Sequence, residues 1–189
     1  MKKLTTWLLL LPALVFFMSP LLAQEKKARV SPHETINATI DGDQVTVVYG
    51  RPYTKDPKTG EKRKIWGGLV PFDRVWRMGA DEATLFTTQQ PLELGDKSIA
   101  AGTYSLFMMP RADGGAALVV NKQTGQWGTK YDEKQDLVRV DMKKDAISVP
   151  VEQLTIALDK TPDGGGVLKV MWEGLQYSVD LRTKTLIMR

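Results

Sequence analysis

The chain has 189 residues, with 26 lysines and arginines against 22 aspartates and glutamates, one histidine and no cysteine. The absence of cysteine excludes disulfides, thiolate nucleophiles and cysteine-ligated metal sites. The formal net charge is +4. Residues 1–23 are predicted below to be removed, and with them Lys2 and Lys3, which leaves 24 basic and 22 acidic residues and a charge of +2. So small a surplus does not favour nucleic acid as a partner.

The first 23 residues are predicted to be a secretory signal peptide. A basic start is followed by an apolar run from Trp7 to Met18 and by the small residue Ala23, which precedes Gln24 and a charged run. The apolar run is shorter than the roughly 20 residues of a membrane span, so an uncleaved anchor is the weaker alternative. Gln24, in place of a cysteine, argues against a lipoprotein. Residues 24–189 are predicted to form one β-rich domain, periplasmic or secreted, without a membrane span after cleavage.

Alternation of apolar and polar residues, typical of half-buried strands, runs through most of the chain after the leader. Strands are predicted near residues 35–40, 44–49, 84–88, 98–99, 103–109, 116–121, 137–142, 151–158, 167–172 and 175–181. Glu173-Gly174, between the last two, predicts a tight hairpin turn. No window of a dozen residues shows a helical repeat. We therefore predict an all-β fold, a single antiparallel β-sandwich or flattened barrel of about ten short strands with two long loops.

Two segments, 51–80 and 122–135, interrupt the alternation. They contain Trp66, Trp76 and Trp127, three of the four tryptophans beyond the leader. Loops of this length usually carry function or pack as ordered flaps. The longer segment has eight basic and three acidic residues between positions 51 and 77, a charge of +5 that favours an anionic partner. Within it, residues 55–64 have the composition of turns and by themselves indicate a flexible loop exposed to solvent.

The motifs of this region resemble those of the bacterial family DUF2911. The segments that carry the resemblance are Ser31-Pro32, Tyr49-Gly50-Arg51-Pro52, 64–71, 75–84, 101–107 and Gln126-Trp127-Gly128. It spans nearly the whole chain after the leader and implies an exported, β-rich domain with no established activity. Asp81 departs from the family pattern, in which asparagine is usual, so a role that requires a neutral amide there is in doubt.

The residue types available exclude several kinds of catalytic and metal site. His33 is the only imidazole, and no Gly-x-Ser-x-Gly motif accompanies it, so a serine-hydrolase triad is not predicted. One histidine without cysteine does not supply the usual ligands of zinc or copper. Gly164-Gly165-Gly166 lacks the lysine and helix of a phosphate loop. We predict no metal and no cofactor, and a structural or solvent-exposed role for His33.

The candidate ligand-binding residues lie in or beside the two irregular segments: Arg51, Trp66, Trp76, Arg77, Asp81, Glu82 and Trp127. Arg77 is close enough in sequence to pair with Glu82, and Arg51 can join from its strand end. Such a network, with tryptophan stacked on a guanidinium, locks the loop to the sheet. A partly open arrangement instead forms a shallow cleft suited to sugars or small carboxylates.

The sequence favours a non-catalytic ligand-binding or interaction domain of the cell envelope, whose partner is a glycan, a small anion or an envelope protein. One alternative is a carboxylate-dependent hydrolase or lyase acting on an anionic or glycan substrate. There Asp81 or Glu82 is the acid and Arg77 or Arg51 holds the substrate, although neighbouring strand residues face opposite sides. Another alternative is a structural envelope protein with a self-associating sheet edge.

Overall fold

The structure is a computed structural model that describes residues 29–184. The strands are β1 (His33–Ile40), β2 (Asp43–Gly50), β3 (Thr84–Thr88), β4 (Leu92–Leu94), β5 (Lys97–Ile99), β6 (Gly102–Pro110), β7 (Ala116–Asn121), β8 (Asp136–Lys160) and β9 (Gly166–Thr183). A single 3-10 turn, Glu133–Gln135, precedes β8. Within this part of the chain, no helix has the length and apolar character needed to cross a membrane. The predicted signal peptide, residues 1–23, lies outside the described residues.

All nine strands belong to one antiparallel sheet in the order β1-β2-β3-β6-β7-β8-β9-β4-β5. This confirms the predicted all-β antiparallel class. The sheet is not closed into a barrel, because β1 and β5 stand at its two ends. Two strands are much longer than expected, with 25 residues in β8 and 18 in β9. Predicted strands 137–142 and 151–158 join to form β8, and 167–172 and 175–181 join to form β9.

The predicted hairpin turn at Glu173-Gly174 is wrong. Both residues lie inside β9, and Glu173 stands opposite Val151 where the register between β8 and β9 shifts. Glu173 has a φ of 52°, a left-handed conformation that produces a local bulge within the strand. A turn-forming dipeptide between two alternating segments therefore interrupts the ladder here without reversing the chain.

Strand β8 joins the two halves of the sheet. Residues 136–142 pair with β7, and residues 143–160 pair with β9. Side chains from both halves, among them Phe86, Leu118 and Leu181, belong to one buried cluster. The halves also meet through Tyr49 of β2, whose hydroxyl accepts a hydrogen bond from the backbone N–H of Ile156 in β8 at 2.9 Å. The sheet thus folds over itself around a shared core.

Both irregular segments pack against this sheet. Trp76 exchanges two backbone hydrogen bonds with Met108 of β6, at 2.7 and 2.8 Å. The second segment lies beside the end of the first, because the N–H of Gly128 donates to the carbonyl of Asp81, the next residue along the chain, at 2.9 Å. The basic run 55–64 forms a tight turn in which the carboxylate of Asp56 accepts the N–H of Lys58 at 2.8 Å. The long loop is therefore fixed to the sheet on both sides of position 77.

Candidate functional site

A cavity of about 310 Å³ opens between the start of the described chain, the long loop and β9. Its walls include Tyr53, Arg63, Trp76, Arg77, Asp81 and Trp172. We refer to this cavity as the Arg77 cleft. Its volume lies at the lower end of the range of about 300–1,000 Å³ that is usual for small-molecule sites.

Two left-handed residues shape the backbone of the cleft wall. Met78 has a φ of 51° and Asp81 a φ of 64°, so the chain turns sharply on either side of Gly79. The turn brings the N–H of Ala80 to the carbonyl of Gly50, at 3.2 Å. Aspartate and asparagine tolerate this conformation better than most residues. Asp81 therefore suits the backbone conformation at this position.

Arg77 is a half-buried cation on the cleft wall. Its Nε donates to the carbonyl of Gly79 at 3.0 Å. Within residues 29–184 it forms no salt bridge, and its two terminal nitrogens donate no hydrogen bond to the protein. Burial lowers the pKa of the guanidinium, and the nearby charge of Asp81 opposes that shift. The predicted pair between Arg77 and Glu82 is therefore not formed.

Glu82 pairs with a residue that precedes β1. Arg29 forms two hydrogen bonds with the Glu82 carboxylate, at 2.6 and 2.7 Å. Partial burial raises the pKa of Glu82, but hydrogen bonds from its own backbone N–H and from Arg29, with the charges of Arg29 and His33, outweigh burial and lower it. Glu82 is not among the residues that line the Arg77 cleft.

His33 lies between the two carboxylates. Its Nε2 is 3.2 Å from Oδ2 of Asp81 and 3.6 Å from Oε2 of Glu82. These three side chains offer ligand atoms within 4.8 Å of one another and are the residues of the described chain best placed to hold a cation. In the structure the guanidinium of Arg29 supplies the positive charge at this cluster.

Arg51 lies outside the cleft and joins β2 to the opposite strands. Its guanidinium pairs with Glu34 of β1 at 3.1 Å and donates to the carbonyl of Leu154 at 3.1 Å. A third bond reaches Oγ1 of Thr155 at 2.9 Å. The expectation that Arg51 joins Arg77 and Glu82 in one network is wrong, because closer partners on β1 and β8 engage it.

The candidate tryptophans separate into buried and exposed positions. Trp76 stacks on Trp172 with ring centroids 6.0 Å apart, and it forms a T-shaped pair with Trp66 at 6.4 Å. Trp66 donates its indole N–H to the carbonyl of Trp172 at 3.2 Å and does not line the cleft. Trp127 is 50% exposed and also lies outside the cleft walls. Of the seven candidate residues, the cleft therefore contains Trp76, Arg77 and Asp81.

Among the cleft residues that sequence reasoning missed are Tyr53, Arg63 and Trp172. Trp172 is fully buried, yet its Nε1 has no acceptor in the described chain. Nε of Arg63 is likewise buried without a partner, although another nitrogen of this side chain donates to the carbonyl of Tyr53. Strand alternation predicts that Trp172 is buried, but nothing in the sequence shows that its N–H lacks an acceptor.

Comparison with known proteins gives a family without a known activity. Residues 31–181 match the model of the family DUF2911, described as a protein of unknown function. The match confirms the resemblance seen in the sequence and covers most of the chain. No curated protein and no solved structure matches.

Proposed function

Since the chain belongs to the DUF2911 family, whose function is unknown, we propose a function from the cleft itself: a non-catalytic, ligand-binding domain of the cell envelope. One observation carries this proposal. The two terminal nitrogens of Arg77, which is half-buried on the cleft wall, donate no hydrogen bond to the described part of the chain. Leaving a charged donor without a partner away from water costs free energy. An oxygen-rich ligand in the cleft supplies acceptors for these nitrogens.

The state of the carboxylates supports binding over catalysis. A general acid that works near neutral pH needs a raised pKa, whereas the pKa of Glu82 is lowered. Glu82 is also engaged by Arg29 and lies outside the cleft. Asp81 lines the cleft, but its Oδ2 is shared with His33 at 3.2 Å. The hydrolase or lyase alternative therefore depends on Asp81 alone.

The location in the envelope rests on the leader, residues 1–23. Its basic start and short apolar run support export, and the cut before Gln24 leaves Arg29 near the new N-terminus, where it engages Glu82. Mass spectrometry of protein recovered outside the inner membrane of a bacterial host is expected to show a chain that begins at Gln24. Recovery of the full-length chain in the cytoplasm would contradict export.

Binding in the cleft is tested by thermal shift and NMR with sugars, small acids and short peptides. Tyr53 is 42% exposed on the cleft wall, so Tyr53→Ala is expected to abolish the stabilisation given by a ligand. Trp127→Ala is the matched control, since it removes a similarly exposed ring outside the cleft. The proposal fails if no compound binds, or if binding survives in Tyr53→Ala and disappears in Trp127→Ala. Concentration-dependent self-association with no ligand response would favour the structural alternative.

A further inference from the structure

We propose that the ligand of the Arg77 cleft is a small monocarboxylic acid whose carboxylate pairs with Arg77. The inference rests on the proposed binding function and adds the chemical class of the ligand.

The guanidinium of Arg77 is held in place from two sides. Its Nε is fixed by the carbonyl of Gly79 at 3.0 Å. Its aliphatic stem lies against the backbone of Gly128, so closely that a Cβ at position 128 would stand 2.1 Å from Cδ of Arg77. The two terminal nitrogens are thereby left without a protein partner among the described residues. A fixed guanidinium with both terminal nitrogens available matches the two oxygens of a carboxylate.

The charge of the cleft favours a single negative charge on the ligand. Two cations, Arg63 and Arg77, and one carboxylate, Asp81, are the charged residues that line it. Their sum is +1, which a monoanion neutralises. A dianionic phosphate leaves an uncompensated negative charge beside Asp81 in a half-buried site, where unpaired charge is costly. The same Asp81 carboxylate accordingly selects against more highly charged ligands.

The remaining wall offers apolar surface for the body of the acid. Tyr53 and Leu69 are 42% and 43% exposed, and Trp76, 9% exposed, lines the same cavity. A volume of about 310 Å³ suits a ligand with one ring or a short chain. The polar contacts come from Arg77 and the apolar contacts from these three side chains, so the two parts of the ligand are recognised separately.

The experiment compares carboxylic acids with their primary amides, which have nearly the same shape and no charge. The pairs are glucuronate with glucuronamide, 3-phenylpropionate with 3-phenylpropionamide, and N-acetylalanine with its amide. Affinity for residues 24–189 is measured by calorimetry or NMR titration. In each pair that binds, the acid is expected to bind at least about tenfold more tightly than the amide, because a charge-assisted pair is lost in the amide. Glucose 6-phosphate, which tests a dianion, is expected to bind less tightly than glucuronate.

Three variants assign the effect to Arg77. Arg77→Gln is expected to remove the preference for the acid, whereas Arg74→Ala, which removes an exposed arginine of the same loop outside the cleft, is expected to retain it. Gly128→Ala keeps the charge but displaces the stem of Arg77, and it is expected to reduce the preference as well. Thermal unfolding of each variant separates loss of binding from loss of folding.

The outcomes distinguish the two proposals. Equal affinity for acids and amides, or a preference that persists in Arg77→Gln, overturns the carboxylate inference and leaves the binding function standing. Tighter binding of glucose 6-phosphate than of glucuronate overturns the monoanion selectivity. Failure of every acid and every amide to bind overturns the carboxylate inference together with the proposed function.

Discussion

At the scale of single residues, Tyr49 connects the two halves of the sheet through one hydroxyl group. The hydroxyl donates to Glu34 at 2.8 Å and accepts the backbone N–H of Ile156 at 2.9 Å. Burial raises its pKa, the bond from Ile156 lowers it, and the bond to Glu34 raises it again, which gives a value of about 12 in place of 10.0. The pKa of Tyr131, which is half-buried and bonded to Asp136, is also raised to about 12.

These tyrosines predict a loss of stability at alkaline pH. The folded chain keeps both protons up to about pH 12, whereas the unfolded chain releases them near 10.0. The free energy of unfolding is therefore expected to be constant below pH 10, apart from other groups, and to fall between pH 10 and 12. Tyr49→Phe is expected to cost about 1–3 kcal/mol at pH 8, since the N–H of Ile156 loses its acceptor, and to make the alkaline fall shallower.

Urea unfolding of both proteins at pH 8, 10 and 11.5 measures this dependence. A wild-type midpoint that does not move above pH 10, or an equally steep fall in Tyr49→Phe, would show that the Tyr49 hydroxyl titrates in the folded protein as it does in the unfolded chain.

A second prediction for a single residue concerns Asp81, the one carboxylate among the residues that line the cleft. Asp81→Asn is expected to retain the fold, because asparagine also tolerates a φ of 64°. Removing the negative charge is expected to tighten the binding of glucuronate by roughly threefold to tenfold. Asp73→Asn is the matched control, an aspartate with a φ of 57° that does not line the cleft. Unchanged or weaker affinity in Asp81→Asn would show that Asp81 does not oppose the ligand.

Predictability at this scale depends on where the partner residue lies in the sequence. Tryptophan and arginine in an irregular segment led to Trp76, Arg77 and Asp81, which do line the cleft. The pairing of Glu82 was missed because its partner, Arg29, lies 53 residues earlier in the chain. Proximity in sequence suggested Arg77 instead, but the backbone turn between positions 78 and 81 directs the two side chains to different sites.

At the scale of elements, the end of β2 and the turn at 78–81 approach each other without intervening side chains. A Cβ at position 50 would come within 2.4 Å of the carbonyl oxygen of Ala80. Gly50 is therefore required by close backbone contact. Because Ala80 lines the Arg77 cleft, this contact also sets the position of the cleft wall.

Gly50→Ala is expected to destabilise the protein by about 1–3 kcal/mol, since the added methyl group forces the backbone of the turn away from β2. Gly174→Ala is the control, because nothing lies within 4 Å of a Cβ at that position. Its effect is expected to stay within about 0.5 kcal/mol. Chemical unfolding measures both. Equal stability of the two variants would contradict the tight contact at Gly50.

Element boundaries were predictable where burial alternates and not where a long strand is irregular. One face of β2 is buried, so buried and more exposed residues alternate along its sequence. The bounds of β2 were therefore predicted within one residue at each end. In β8 and β9 the register shifts twice, between Ala146 and Thr155, and the alternation breaks although the strands continue. The sequence therefore divides each strand in two, because a bulge and a turn use the same residues.

At the scale of the whole molecule, the cleft lies where three distant parts of the chain meet. Residues 30 and 31 come from before β1, residues 52–81 from the long loop, and Trp172 from β9. The stack of Trp76 on Trp172 at 6.0 Å joins the loop to β9. Alternation predicts the individual strands, but this meeting point depends on how the sheet folds over itself, which no local pattern encodes.

The double pairing of β8 has a consequence for how the protein comes apart. Detaching the whole strand deprives β7 and β9 of a neighbour simultaneously, because residues 136–142 and residues 143–160 belong to one continuous strand. Hydrogen exchange of the backbone amides in β7 and β9 is therefore expected to follow a common opening event. The two sides of the sheet open cooperatively because one continuous strand pairs with both.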